Sequence, residues 1–206
     1  KTFMKEYYTR LKDKSGTVYF PGDFLSIVHS MAWTSQLEKQ IIEKIFKDKS
    51  GNKEEEKAVI NLTSDFISNK SSVNWLINEL KQKFSNSNTT FYFECPNADI
   101  LDYLEDFKYF TKEISKTNHK FAIESFTFDN DNLDYLKILK PEYLKISKSY
   151  LIDENSVSDS SLLNITSTIG AYLIVKHVET KEEFKFLKDI GIKYLQGRYI
   201  DELEVR

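Results

Sequence analysis

The sequence predicts an α/β fold whose largely parallel sheet curls into a (β/α) barrel. Two observations predict it. Across 206 residues, apolar runs of strand length alternate with helical periodicities seven times. Polar residues also recur at the end of nearly every strand run, where barrels of this kind gather their functional groups.

The strand runs are 3–11, 58–62, 90–95, 120–123, 143–146, 171–175 and 194–195. Helix patterns lie between them. Leu37, Ile41 and Ile45 mark a helix before the solvated loop 49–56, which carries a glycine break. Val73, Leu76, Ile77, Leu80 and Phe84 follow helical spacing, and Ile100, Leu104, Phe107 and Ile114 share a second helical face. Trp33 and Trp75 fall in helix patterns and are expected to pack. Pro96 closes the third strand run. A closed barrel of this class takes eight strands, so seven runs leave the first strand to be found before residue 1.

Composition supports one well-packed domain over 1–206. Hydrophobic residues make up 40%, with 15 Phe and 12 Tyr to fill a core. The net charge of −3, with both signs mixed, gives no argument for a nucleic acid polymer or an anionic membrane surface. The lone cysteine, Cys95, excludes a disulfide within the chain and fits a reducing, cytoplasmic compartment. No signal peptide or long apolar stretch is seen, so no membrane contact by this domain is expected. The abrupt start in a strand-like run reads as a domain cut from a larger protein, which can itself be membrane-anchored.

The strand-end residues resemble the EAL family, whose active members hydrolyse cyclic di-GMP with two divalent metals. EYYTR (6–10) stands at EALxR, and GTVYFPGDFLSIV (16–28) at the segment with P-x-x-F-I. INLT (60–63) is similar to the N-L-S strand, and FECPN (93–97) keeps the first glutamate of L-E-x-T-E. IESFTF (123–128) sits at D-D-F-G-x-G, YLKISKSY (143–150) at L-K-I-D-x-S-F, VKHVET (175–180) at A-E-G-V-E-T and YLQGRYI (194–200) at the closing Q-G-Y. The order of the eight motifs carries the signal, since no one of them is specific. The family's Q-P strand would precede residue 1.

The resemblance implies site residues one by one. Glu6, Asn61, Glu94 and Glu179 keep the family's metal-ligand types, Lys145 matches its active-site lysine and Gln196 its closing glutamine. The paired aspartates have become Glu124–Ser125, and a serine is a poor substitute for an anionic ligand. A family carboxylate has become Lys176. Two unit charges ~4 Å apart interact by ~4 kcal/mol at an effective dielectric near ~20, about double for a divalent ion, so Lys176 opposes metal binding. The loop glycines are replaced by Thr127 and Asp129, and the loop's anchoring glutamate by Asn97, which implies a less ordered loop.

These departures make the expectation a degenerate EAL barrel that is not an enzyme and takes no cofactor, with magnesium or manganese binding lost or weak. It would act as a cyclic di-GMP receptor, with Glu6, Tyr8, Arg10, Asn61, Glu94, Lys145, Lys176, Glu179 and Gln196 lining the ligand. Arg10, Lys145 and Lys176 would face the phosphates; Tyr7 and Tyr8 would stack on guanine, or Tyr8 would fill the pocket. Two other readings stay open: a dimerisation or partner-docking platform that binds no nucleotide, and a weak phosphodiesterase. His29, His119 and His177 show no metal spacing, and Cys95 reads as a buried structural thiol.

Overall fold

The computed structural model describes residues 3–127, 133–152 and 159–204. Phe128 and Asp129, of the altered loop, lie outside the described residues. The chain runs β1 (Lys5–Glu6), β2 (Leu11–Lys12), β3 (Val18–Tyr19), α1 (Pro21–Ser30), α2 (Thr34–Lys49), β4 (Glu56–Asn61), α3 (Ser64–Ser68) and α4 (Lys70–Lys83). It continues with β5 (Thr89–Pro96), α5 (Leu104–Ile114), β6 (Lys120–Glu124), α6 (Asp134–Leu139), β7 (Tyr143–Ser147), α7 (Ser149–Ile152), α8 (Asp159–Ile169), β8 (Tyr172–Lys176), α9 (Lys181–Asp189), β9 (Tyr194–Leu195) and α10 (Arg198–Glu204).

Seven strands form one sheet in the order β1-β4-β5-β6-β7-β8-β9, and every neighbouring pair is parallel. This is the predicted α/β sheet of a TIM-like barrel, with all seven strand runs present. The first run differs in detail. Only Lys5–Glu6 pairs in the sheet, and Leu11–Lys12 turns away to form an antiparallel hairpin with Val18–Tyr19. A strand-length apolar run does not reveal where pairing stops.

Strand alternation divides the core in two. Outward residues such as Phe91, Phe93, Phe121, Ile123, Leu144, Ile146 and Val175 pack with the helices in the larger cluster. Phe46, Phe84 and Phe91 meet there with centroids 4.7–4.9 Å apart. Each such ring contributes roughly 1.5–3 kcal/mol by leaving water. Cys95 is fully buried in the same layer. Inward residues form a second, smaller cluster of Val59, Tyr92, Ala122, Tyr143 and Ile174, with Met4 and Tyr194 against it.

Helix ends are set locally. Thr63 and Asn69 cap α3 and α4, and Thr180 with Glu183 forms a reciprocal capping box at α9. The face of α2 that packs inward is Glu38, Ile42, Ile45 and Phe46, one position round from the predicted stripe. Trp33 corrects an expectation: it precedes α2 and is 55% exposed, because the tight turn after α1 points it away from the core. Trp75 packs against the core as expected.

Candidate functional site at the carboxyl ends of the strands

The inner apolar layer determines where the polar side chains go. Two positions beyond each of its residues, the same interior face carries a polar group. Met4 leads to Glu6, Val59 to Asn61, Tyr92 to Glu94, Ala122 to Glu124, Tyr143 to Lys145, Ile174 to Lys176 and Tyr194 to Gln196. A period of two places all seven at the carboxyl ends of the strands, above a dry floor.

Lys145 is the hub. It is 4% exposed, and its Nζ lies 2.9 Å from Glu6 Oε2 and 2.5 Å from Glu94 Oε1. Tyr143 donates its hydroxyl to the same Glu94 oxygen at 2.6 Å. Glu6 also accepts from Asn61 Nδ2 at 2.9 Å and from Gln196 Nε2 at 2.8 Å. Burial pulls the Lys145 ammonium down, yet the Glu94 and Glu6 charges outweigh it and hold its pKa above the ordinary lysine value. Burial raises the Glu6 carboxyl too, but Lys145, Asn61 and Gln196 outweigh it and the net shift is downward. Glu94 is the most deeply buried of the three, and there burial wins, so its pKa is raised.

A second cluster forms across β6 and β8. Lys176 pairs with Glu124 and donates to Ser125 Oγ at 2.8 Å. Ser125 adopts φ +51° and His177, beside Lys176, φ +68°, so both turns carrying the pair are left-handed.

Two predicted residues, Glu179 and Arg10, stand apart from these clusters, and Tyr8 meets them only at the rim. Glu179 is exposed, 3.7 Å from Lys148, which also holds Glu183 at 2.5 Å. Arg10 lies with its guanidinium 4.5 Å above the Phe20 ring and 5.9 Å from the Tyr8 ring. Tyr8 is 60% exposed at the rim, where its hydroxyl meets Gln196 Nε2 at 3.1 Å, so it does not fill the interior. Tyr7 points the other way, donates to Glu56 Oε1 at 2.9 Å and packs under Lys49. Asn97, read as a lost loop anchor, accepts from Tyr135 at 2.6 Å and ties the end of β5 to α6.

Gln196 is positioned by an unusual turn. Its amide N–H donates to Val175 O and its carbonyl accepts from Val178 N–H. Gly197 follows at φ +152°, and a Cβ there would run into the Val178 backbone.

The EAL domain family model matches residues 2–202. The chain belongs to the EAL domain family. The probable cyclic di-GMP phosphodiesterase PdeD of Escherichia coli K12 is 31% identical over 91 residues, 42% of this chain and 17% of PdeD. The probable cyclic di-GMP phosphodiesterase PdeA of the same organism is 26% identical over 215 residues, 95% of this chain and 28% of PdeA. The EAL domain of FimX from Pseudomonas aeruginosa, solved bound to c-di-GMP, superposes with TM-score 0.81 at 24% identity, over 94% of this chain and 81% of that one. The chain thus spans well under a third of the curated relatives it matches.

These relatives correct two expectations. The two curated relatives are named probable cyclic di-GMP phosphodiesterases, which overturns the expectation that this chain is not an enzyme. The expectation that magnesium or manganese binding is lost or weak is overturned with it, because the family's chemistry uses those ions. Toward such an ion the cluster leaves one carboxylate oxygen open: Glu94 Oε2 is buried without a hydrogen-bond partner, while both Glu6 oxygens accept from Asn61, Lys145 and Gln196 and the Lys145 ammonium lies between Glu6 and Glu94. Among the described residues no group of three or more His, Cys, Asp or Glu gathers as a metal site. Lys176, one of the departures read from the sequence, engages Glu124.

Proposed function

We propose that the chain is the cyclic di-GMP-binding module of a longer signalling protein, and that occupancy of the carboxyl-end face is the signal it passes on. The observation that carries this reading is the ring of seven interior polar residues, one per strand, with two ammonium groups among them. Lys145 and Lys176 complement the phosphodiester charges, while Gln196 and Tyr8 present amide and phenol groups at the rim. A ligand shifts a conformational equilibrium only by its different affinities for the two states. The relatives' names and the nucleotide bound to FimX support the choice of ligand. No helix among the described residues is long and apolar enough to cross a membrane.

Isothermal titration with cyclic di-GMP, in magnesium and then in EDTA, tests the reading. Saturable one-to-one binding that weakens in Gln196→Ala supports it. Absence of heat and of any thermal shift in both buffers defeats it.

A second reading, docking of a protein partner, draws on a different surface. Val18, Tyr19, Phe20, Leu25, Ile27 and Met31 are all exposed on the hairpin and α1, which buries only Phe24. Sedimentation of the purified chain across a concentration series tests self-association through that face.

A further inference from the structure

The carboxyl end of β4 is closed by a side chain rather than by a strand. Asn61 pairs with Glu94 in the β4–β5 register, and Leu62 N–H donates to Glu94 O at 2.8 Å. The next amide leaves the sheet. Thr63 N–H donates to Glu38 Oε1 at 2.7 Å and the Thr63 hydroxyl to Glu38 Oε2 at 3.0 Å, so one carboxylate from α2 takes both donors of one residue. Glu38 is 8% exposed, and among the described residues no ammonium, guanidinium or imidazole pairs with it. A buried carboxylate held by hydrogen bonds alone is costly to keep charged. Burial pushes it up to about 7, against the two Thr63 hydrogen bonds and with an addition from Asp65 on α3. The other titratable groups around this point come from three elements. Cys95 on β5 is buried within reach of the Glu38 charge, Asp99 just after β5 accepts from Ser64 Oγ at 2.9 Å, and His29 at the end of α1 lies 2.9 Å from Asp65 Oδ2.

Thr63 lies two residues beyond Asn61, whose side-chain amide meets Glu6 Oε1 at 2.9 Å in the candidate site. Leu62, between them, is buried and bonded to Glu94, so the three residues form one short, packed stretch. We infer that Glu38 is a positioning residue for that site: by clasping Thr63 it fixes where β4 ends, and with it where Asn61 delivers its amide. The ionised carboxylate is the stronger acceptor. Protonating Glu38 therefore loosens the clasp, and the placement of Asn61 follows the charge of a group on another element. This rests on the binding face proposed above, but Thr63 and Asn61 can be observed without nucleotide.

Nuclear magnetic resonance of the 15N-labelled full chain, titrated from pH 5 to 9, tests it. The expected result is a step in the Thr63 backbone amide and a step in the Asn61 side-chain amide with one shared midpoint. In Glu38→Gln, which keeps a carbonyl acceptor but no titrating charge, both steps are lost. Glu6, Glu94 and Lys145 also face Asn61, and a step of theirs survives the substitution at its own midpoint. Circular dichroism melting confirms that the variant is folded. A flat Thr63 amide, or an Asn61 amide with no step at the Thr63 midpoint, overturns the proposal in the wild type alone. A shared step that persists in folded Glu38→Gln also overturns it and assigns the transition to the His29–Asp65 pair. Cyclic di-GMP added to the same samples reports separately: no nucleotide binding, with the shared step present in the wild type and lost in the variant, defeats the ligand reading and supports the positioning role.

Discussion

Lys145 Nζ lies 2.9 Å from Glu6 Oε2, although 139 residues separate them and three strands stand between β1 and β7 in the sheet. The contact therefore crosses the barrel interior rather than running along its wall. It makes a buried ion cluster the structural centre of the candidate site.

Removing the hub leaves two buried carboxylates without a cation. Side-chain exposure is 5% for Lys145, 11% for Glu6 and 0% for Glu94. Breaking a buried pair from one side costs about 3–5 kcal/mol. Lys145→Met should lose stability of that order in urea unfolding, and adding Glu94→Gln should return part of it. A loss below about 1 kcal/mol would mean that solvent reaches the cluster.

Gly197 should tolerate no side chain. With φ at +152° and the Val178 backbone in the path of a Cβ, Gly197→Ala must move the β9–α10 turn. The expected cost is about 2–4 kcal/mol, with weaker nucleotide binding because Gln196 moves too. An unchanged melting temperature would contradict the close approach.

Lys176→Ala should weaken cyclic di-GMP binding by about 10- to 100-fold, the range of one charge-assisted hydrogen bond. The substitution also frees the Glu124 carboxylate to repel phosphate. Calorimetry at low and high salt checks this, since the loss should shrink as salt screens the charges. Equal affinity in both proteins would assign Lys176 no contact with the ligand.

Glu38 and His119 make opposing contributions to the pH dependence of stability. Burial pushes the Glu38 carboxyl up to about 7 from 4.5. Between those values the unfolded chain releases the proton first, so stability falls as pH rises, by about 3 kcal/mol at most. His119 accepts the Phe91 N–H, and burial pushes it down to about 4 from 6.5. There the unfolded chain takes the proton first, so stability falls as pH drops. Glu38→Gln should erase only the first effect. Its stability relative to wild type should grow from pH 4.5 to 7 and level off above, as measured by urea unfolding at pH 5, 6 and 8. Parallel curves for the two proteins would show that Glu38 is not buried as charge.

Much of this was readable in the residues, for physical reasons. Parallel strands covered on one face by helices and filled on the other by side chains must be apolar runs, so all seven stood out. The polar residue ending each run was equally visible, and that is why Glu6, Asn61, Glu94, Lys145, Lys176 and Gln196 were found. Orientation was not visible. Glu179 sits three residues after Lys176, and only the capping box at α9 determines that it faces Lys148. The pairing of Lys176 with Glu124 had a signal that charge alone offered: a new cation and a surviving carboxylate at strand ends two apart in the sheet. The buried acid of Glu38 was hidden because its partner, Thr63, lies on another element 25 residues away.

Gln196 bonds Glu6 and Tyr8 across the gap between β9 and β1, the two ends of the sheet order. Phe3 stacks on Tyr194 below them, with centroids 4.3 Å apart. Elsewhere the wall is stitched by main-chain ladders; among the described residues Gln196 and Phe3 span this gap with their side chains. Among the described residues, contact between these two strands therefore rests on one amide and one aromatic stack. Widening that gap breaks an amide's two hydrogen bonds and unstacks one aromatic pair while every ladder stays intact.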